Sequence, residues 1–393
     1  MLLCVAQYPN VMKPSFHTSF NYRCLSGALL LSALFLEGKA QAQVDVYVSE
    51  TAKSNSATTL LEYAFNPTTG TVTLVDTSTP TGVFGGTTAN ESSLEFSESG
   101  TSLSYAGFTS AAATTSSEVL FTPSTDTFSA STNTTSSTVR SSYFGTSTTG
   151  TAGFFVASGS SAPRFIAQGA STAAAISTDA STFSANTITY NGGTKNLYVS
   201  RNSTSAGGVY TPSTNGLGLV TSGAGTLVAL TGGTNSGWST SDLYTGMAFL
   251  GTSNLFVANT TTDTLDLFTA TNPDETNDWN LKTSISLLSF TGENIEQVSV
   301  DPLSSTSALI FFTTNGNATG VLSTTGISTL DEVSYNASTG SFGTPIQLES
   351  SSADYFTGVA AVPEPGTYAM FGLGLGLLVL IARKKAGRKT FLN

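Results

Sequence analysis

A short strand-like motif recurs about every 50 residues along the middle of the chain. The motif is an aromatic or apolar pair followed by Val, Ala or Ser, as in Leu197-Tyr198-Val199-Ser200 and Leu255-Phe256-Val257-Ala258. Its copies begin near residues 47, 103, 154, 197, 255 and 309. Gly, Asn and Thr turns separate the copies, and no helical pattern of appreciable length interrupts them. A period of this length made only of short strands predicts an all-β propeller, with six blades or with seven.

The two ends of this repeat region are incomplete in complementary ways. Residues 44–49 match the repeated strand. Other copies follow another strand directly, as the copy at 255 follows residues 244–249, but residues 44–49 have no such preceding strand. Residues 355–362 match that preceding strand but have no successor. We therefore expect both segments to share one blade, which closes the ring and removes its free edge. The body, residues 43–361, is similar to repeat propellers with a Tyr-Val-x-Asn strand motif; a β-sandwich pair or a β-solenoid is the alternative fold.

The first 42 residues have the organisation of a secretory signal peptide. Lys13 and Arg23 precede an apolar run at 25–36, and Ala40-Gln41-Ala42 supplies the small-x-small pattern of a cleavage site. The sequence therefore predicts export through the Sec machinery, with Gln43 as the first residue of the mature chain. A buried core helix is the alternative interpretation of the apolar run.

The C-terminal end combines three elements in order. Pro363, Glu364 and Pro365 come first, and an apolar segment follows at 367–382. A basic cluster comes next, made of Arg383, Lys384, Lys385, Arg388 and Lys389. The apolar segment is shorter than the roughly 20 residues of an ordinary spanning helix, but local thinning of the bilayer lets such a segment cross. The cations after it predict a cytoplasmic tail and a body on the periplasmic side of the inner membrane.

These three elements resemble the PEP-CTERM sorting signal of Gram-negative bacteria. The tail departs from that pattern because it runs on through Thr390-Phe391-Leu392-Asn393. The resemblance implies that a membrane-embedded exosortase processes the protein, after anchoring by a transmembrane helix, and directs it to the cell surface or extracellular matrix. Exopolysaccharide is then an expected partner of the body.

The rare residues of the chain exclude several kinds of chemistry. Cys4, His17 and Cys24 are the only Cys and His residues, and all precede the predicted cleavage site. The mature body therefore cannot form Ser-His-Asp or Cys-His pairs, the usual zinc sites, iron–sulfur clusters or disulfides. It also carries only six cations against 23 carboxylates. This balance excludes the basic surface of an ordinary nucleic-acid-binding protein.

From these exclusions we expect a non-enzymatic protein without a cofactor, with a structural or adhesive role in the exopolysaccharide, biofilm or cell envelope. The alternative is an exported polysaccharide hydrolase or lyase that uses a carboxylate pair or Ca²⁺ in the propeller channel. Carboxylates at the ends of the innermost strands would favour the enzyme. A rim of Ser, Thr and Gly would favour the scaffold.

Two acidic groups are candidate sites. Asp274, Glu275 and Asp278 form the densest cluster, and their oxygens suit Ca²⁺, but the alternating spacing of a calcium loop is missing. We therefore predict a solvated hairpin loop there and no metal site. The second group, around residues 91–98, is predicted to be a solvated strand edge; it contains Glu91, Glu95 and Glu98.

Five aromatic residues of the body have side chains that could stack on sugar rings. They are Trp238, Trp279, Tyr190, Tyr210 and Tyr244. At strand spacing, such residues are more often packed between sheets, so we predict that they stabilise the blades.

Overall fold

The strands are short, and many of the described connections between them are turns rich in Gly, Asn, Asp, Ser or Thr. The computed structural model describes residues 43–52, 57–80, 93–109, 115–133, 139–159, 161–179, 183–201, 203, 206–212, 219, 225–233, 236–287, 294–304, 306–315 and 326–362. Within these ranges the chain forms 25 strands in six antiparallel sheets and one 3₁₀ turn, Pro123–Thr125.

Each sheet is one blade, and its strands follow one another in chain order from the channel outward, except in the first blade. The first blade contains β1 (Val44–Ala52), β2 (Thr58–Asn66) and β3 (Thr71–Ser78), and its innermost strand is the last of the chain, β25 (Asp354–Ala361). The second blade contains β4 (Glu95–Phe96), β5 (Leu103–Phe108), β6 (Ser116–Thr122) and β7 (Thr127–Asn133). The third contains β8 (Val139–Thr146), β9 (Ala152–Ser158), β10 (Ser161–Ala167) and β11 (Ala174–Ala175).

The remaining three blades follow the same plan. The fourth contains β12 (Ala185–Asn191), β13 (Asn196–Arg201), β14 (Gly208–Pro212) and β15 (Leu227–Ala229). The fifth contains β16 (Tyr244–Leu250), β17 (Asn254–Asn259), β18 (Thr264–Thr269) and β19 (Asn280–Ser286). The sixth contains β20 (Asn294–Ser304), β21 (Ser307–Asn315) and β22 (Ser328–Asn336), and both β23 (Ser341–Phe342) and β24 (Ile346–Ser351) pair with β22.

The six sheets form a closed ring, because the innermost strands of successive blades contact one another around a central channel. These strands are β25, β4, β8, β12, β16 and β20. The predicted propeller is therefore confirmed, with six blades. Every copy of the sequence repeat begins in the second strand of a blade, in β1, β5, β9, β13, β17 or β21.

The predicted closure of the ring is also confirmed. Strand β1 pairs antiparallel with β25, with Val46 opposite Ala361 and Val48 opposite Val359. The N–H of Val362 extends this pairing by donating to the carbonyl of Asp45 at 2.8 Å. The two ends of the described chain thus share one sheet, and neither leaves a free inner edge.

The core lies between blades, because each inner strand is covered on both faces. In β17, Leu255 and Val257 pack in the cluster that holds Trp279 of the same blade and Tyr198 of the fourth. Phe256 of the same strand packs in the cluster shared with the sixth blade. Strands covered on both faces show continuous apolar runs, which is how the repeat motif reads in the sequence.

One glycine permits the close approach of two inner strands. A Cβ built on Gly246 of β16 would lie 2.8 Å from the Cα of Gln297 and 2.8 Å from the carbonyl oxygen of Glu296, both in β20. These neighbours are backbone atoms and cannot rotate away. The contact between the fifth and sixth blades therefore requires a residue without a side chain at position 246.

The predicted transmembrane helix at 367–382 and the predicted signal peptide lie outside the described residues. In the part of the chain that the structure describes, no helix is long and apolar enough to span a membrane.

Candidate functional site in the central channel

A cavity of about 590 Å³ occupies the channel where the innermost strands end. All six innermost strands contribute to its wall, through Glu95 or Phe96, Tyr143, Thr189 and Tyr190, Ala248, Ser299 and Ala360. Its rim includes three solvent-exposed residues from turns, Glu98, Ser99 and Lys195. This volume lies in the range of roughly 300–1,000 Å³ that is typical of small-molecule sites.

Glu95 lies inside this cavity and not on a solvated edge, so the prediction for this residue is wrong. Its innermost strand, β4, faces the channel, and the Thr189 hydroxyl donates to Glu95 Oε2 at 3.2 Å. Burial raises the pKa of Glu95 well above its ordinary value, and the hydrogen bond from Thr189 opposes part of that rise. Glu95 is therefore a channel carboxyl group that resists ionisation.

Two tyrosines and a second glutamate surround the approach to Glu95. The rings of Tyr143 and Tyr190 lie 5.8 Å apart between centroids, at 42° to each other. Glu98 Oε2 accepts the backbone N–H of Thr146 at 2.9 Å. Burial raises the pKa of Tyr143, and the nearby charges of Glu98 and Glu95 raise it further. Two carboxyl groups thus lie beside the two tyrosine rings: Glu95 in the channel, which resists ionisation, and Glu98 at the exposed rim.

The opposite end of the channel, where the innermost strands begin, is crossed by a polar network. Arg140 Nη1 donates to Asn186 Oδ1 at 3.3 Å, and Asn186 Nδ2 donates to the Thr245 carbonyl at 3.0 Å. Gln297 Nε2 reaches Thr187 Oγ1 at 3.2 Å, and Thr187 Oγ1 donates to the Thr245 carbonyl. The network links the third, fourth, fifth and sixth blades.

A one-residue bulge recurs at this end of five innermost strands. It falls at Arg140 in β8, at 186–187 in β12, at 245–246 in β16, at Glu296 in β20 and at Thr357 in β25. A bulge breaks the two-residue alternation of a strand and re-aims the side chains beside it. The polar residues of the network lie at these bulges or directly beside them.

Glu296 is a buried acid beside this network, with 1% of its surface exposed. Burial raises the pKa of Glu296 to about 8, and the positive charge of Arg140 lowers it in part. Its Oε2 has no hydrogen-bond partner among the described residues. The carboxyl group is therefore held protonated over most of the neutral range.

The acidic loop residues Asp274, Glu275 and Asp278 lie between β18 and β19, away from the channel lining. Asn272 ties the loop together, because its side-chain amide donates to Glu275 Oε1 at 2.9 Å and its backbone N–H donates to Asp278. Within the described ranges, no group of three or more His, Cys, Asp or Glu residues is arranged to hold a metal ion.

The five aromatic candidates divide between the core and the cavity. Trp279 and Tyr244 are fully buried, and Trp238 stacks on Phe268 with centroids 3.6 Å apart. Tyr210 packs edge-on against Phe183. The prediction of blade packing is confirmed for these four, whereas Tyr190 lines the cavity.

Most residues of the predicted export and sorting signals lie outside the described residues. Gln43 is described, and it is exposed directly before β1. Outside the described ranges are Ala40, Ala42, Glu91, Pro363, Glu364, Pro365, Arg383, Lys384, Lys385, Arg388 and Lys389.

The C-terminal end matches a known family model. Residues 361–385 match the PEP-CTERM protein-sorting motif. The chain carries a PEP-CTERM sorting signal. This motif implies an exported protein that exosortase processes and sorts to the cell envelope. The match begins at Ala361, the last residue of β25, so the PEP-CTERM signal follows the closing strand directly.

Among solved structures, the chain is similar to several proteins at low sequence identity. The periplasmic gluconolactonase PpgL of Pseudomonas aeruginosa is 12% identical, with a TM-score of 0.44, over 82% of this chain and 100% of that one. A Lactobacillus plantarum protein is 12% identical, with a TM-score of 0.46, over 81% and 99%. TolB of Acinetobacter baumannii is 12% identical, with a TM-score of 0.43, over 87% and 71%. At this level of similarity the neighbours carry no information about ligand or activity. No curated protein matches the sequence significantly.

Proposed function

We propose that this protein is an exported, non-enzymatic component of the cell surface or extracellular matrix, with a structural or adhesive role in exopolysaccharide. In this proposal a helix at 367–382 holds the newly exported protein in the inner membrane, with the propeller in the periplasm. Exosortase then removes the tail, and the propeller passes outward. The observation that carries the proposal is the sorting motif at 361–385.

The geometry of the closing strand supports this order of events. The last buried residue of the blade is Ala361, and the last hydrogen bond is that of Val362 to Asp45. A cut after Val362 therefore removes no strand from the propeller. The released body keeps its closed ring and its channel cavity.

Cell fractionation tests the proposal. The wild-type chain is compared with a triple variant, Pro363→Ala, Glu364→Ala and Pro365→Ala, and with Glu275→Gln as a control on an exposed loop. We expect wild type and control in the matrix fraction without the tail, and the triple variant in the membrane fraction with its tail. Intact wild-type protein in the cytoplasm would overturn the proposal.

A glycan-cleaving hydrolase or lyase is the second candidate, because Glu95 is a carboxyl group at the end of an innermost strand, which is the placement expected for the enzyme. Glu98 lines the same cavity, and burial raises the pKa of Glu95. Acid–base cleavage of a glycosidic bond requires two carboxyl groups, one of them protonated. The test is the release of reducing ends from matrix polysaccharide by the purified protein. The non-enzymatic proposal predicts no release above that of Glu95→Gln. Cleavage that this substitution abolishes would establish the enzyme.

A further inference from the structure

The cavity holds two carboxyl groups whose hydrogen-bond donors are neutral. Glu95 accepts from the Thr189 hydroxyl, and Glu98 accepts from the backbone N–H of Thr146. Neither donor brings a positive charge into the cavity. Lys195 belongs to the rim, where its side chain is exposed to solvent.

From this arrangement we propose that the central cavity binds the ammonium group of an amine-bearing ligand, with an amino sugar of the matrix as its source. An ammonium ion beside Glu95 offsets the cost of ionising that carboxyl group in the confined channel, and Glu98 at the exposed rim is a second acceptor for it. The faces of Tyr143 and Tyr190 add cation–π attraction. The choice of source rests on the proposed function, whereas the charge preference rests on the cavity alone.

The size and polarity of the cavity set the kind of ligand. A volume of about 590 Å³ accommodates one or two sugar rings, and the Thr189 and Ser299 hydroxyls add hydrogen-bonding groups. An anionic sugar would bring its carboxylate towards two glutamates, which costs binding energy. An N-acetylated sugar keeps the ring but loses the charge, so it provides a matched comparison.

Calorimetric titration of the full chain in detergent tests the charge preference. The probes are glucosamine oligomers, the same oligomers N-acetylated, galacturonate oligomers and spermidine. We expect the glucosamine oligomers to bind at least tenfold more tightly than their N-acetylated and acidic counterparts. If spermidine binds more tightly than the glucosamine oligomers, the cavity is an ammonium-binding site but an amino sugar is not its ligand. Equal binding of charged and neutral oligomers, or no binding, would overturn the proposal.

Three glutamine substitutions locate the site. Glu98→Gln changes an exposed rim residue and Glu95→Gln a channel residue, while Glu275→Gln is the matched control on a distant loop. We expect each cavity variant to weaken glucosamine binding at least tenfold and the control to leave it unchanged. Thermal melting of each variant checks that it is folded. If Glu95→Gln has a clearly lower melting temperature than wild type, the result for Glu98→Gln decides the test. Unchanged binding in folded Glu98→Gln would contradict the assignment.

The pH profile separates a direct charge contact from a general packing effect. Ammonium binding favours the ionised form of Glu95, so affinity should rise with pH as that group ionises, up to the pH at which the amine of the ligand loses its own proton. Glu98, Tyr143, Tyr190 and Lys195 are the other titratable groups that line the cavity. We expect Glu95→Gln to flatten the rise, and a rise that persists in this variant would contradict the contact. If the amine probes do not bind but the protein is sorted to the matrix, the ligand proposal is wrong and the proposed function stands. If the protein is not sorted to the matrix, the proposed function is wrong.

Discussion

Replacing Glu296 by Gln should stabilise the propeller at alkaline pH and flatten the dependence of its stability on pH. In the folded protein, burial raises the pKa of Glu296 from 4.5 to about 8. An acid with a raised pKa favours folding below its unfolded pKa, and this contribution is lost as the pH rises through the folded value. Wild type should therefore lose stability between about pH 4.5 and pH 8.

The size of the effect follows from the two pKa values. Each tenfold change in proton affinity corresponds to about 1.4 kcal/mol, so the cost reaches about 3 kcal/mol at pH 7 and about 5 kcal/mol above pH 8. Gln carries no charge, so this pH-dependent cost is absent from the variant. Its amide group takes the place of Glu296 Oε2, which has no hydrogen-bond partner, and an unpaired buried amide lowers the free energy of unfolding by about 1–3 kcal/mol at every pH. The variant should thus be no more stable than wild type at pH 5 and clearly more stable at pH 9.

The assay is urea unfolding of the full chain at pH 5, 7 and 9, followed by the fluorescence of Trp238 and Trp279. Glu332 and Glu50 also have pKa values raised to about 7 by burial, so both proteins should lose some stability with pH. The difference between them isolates Glu296. Glu275→Gln, on the exposed loop, should shift the unfolding free energy by less than about 0.5 kcal/mol at each pH. Parallel pH curves for wild type and Glu296→Gln would refute the reasoning.

Two further predictions concern the ring itself. Gly246→Ala should lower the free energy of unfolding by about 1–3 kcal/mol, because the new Cβ would lie 2.8 Å from the β20 backbone. Gly233→Ala is the control, because its new Cβ has only an ordinary contact. Urea unfolding measures both variants, and equal stability would contradict the close approach at Gly246. Truncation after Val362 should leave the melting temperature unchanged, whereas truncation after Ala353 removes β25 and should abolish cooperative unfolding, as measured by calorimetry. A cooperative transition in the shorter chain would show that β25 is not needed to close the ring.

The ring could be predicted from the sequence because its signal is local and repeated. Each copy of the motif, as at Leu255 or Leu309, marks the second strand of a blade, where both faces are buried and the apolar run is continuous. The closure followed from the incomplete ends of the repeat. The turn residues between the strands set a spacing that allowed six or seven blades, and the structure shows six.

The channel could not be predicted in the same way. Strand β4 is only two residues long, so it shows no alternation of apolar and polar residues. The sequence around Glu95 therefore does not distinguish it from an exposed glutamate. In other innermost strands a bulge interrupts the alternation, as at Arg140 and Glu296. The partners in the network are also far apart in the chain, since Gln297 reaches Thr187 across 110 positions. Only the closed ring brings these side chains together.

Intact-mass measurement of the protein recovered from the extracellular matrix tests the account most directly. An exported propeller sorted by its C-terminal signal should begin at Gln43 and should have lost the basic tail that starts at Arg383. The mass should therefore correspond to a chain that retains β1 and β25 and lacks both predicted signals. A matrix protein whose mass still includes residues 1–42 or the basic tail at 383–393 would contradict it, and so would a full-length chain found in the cytoplasm and not in the matrix.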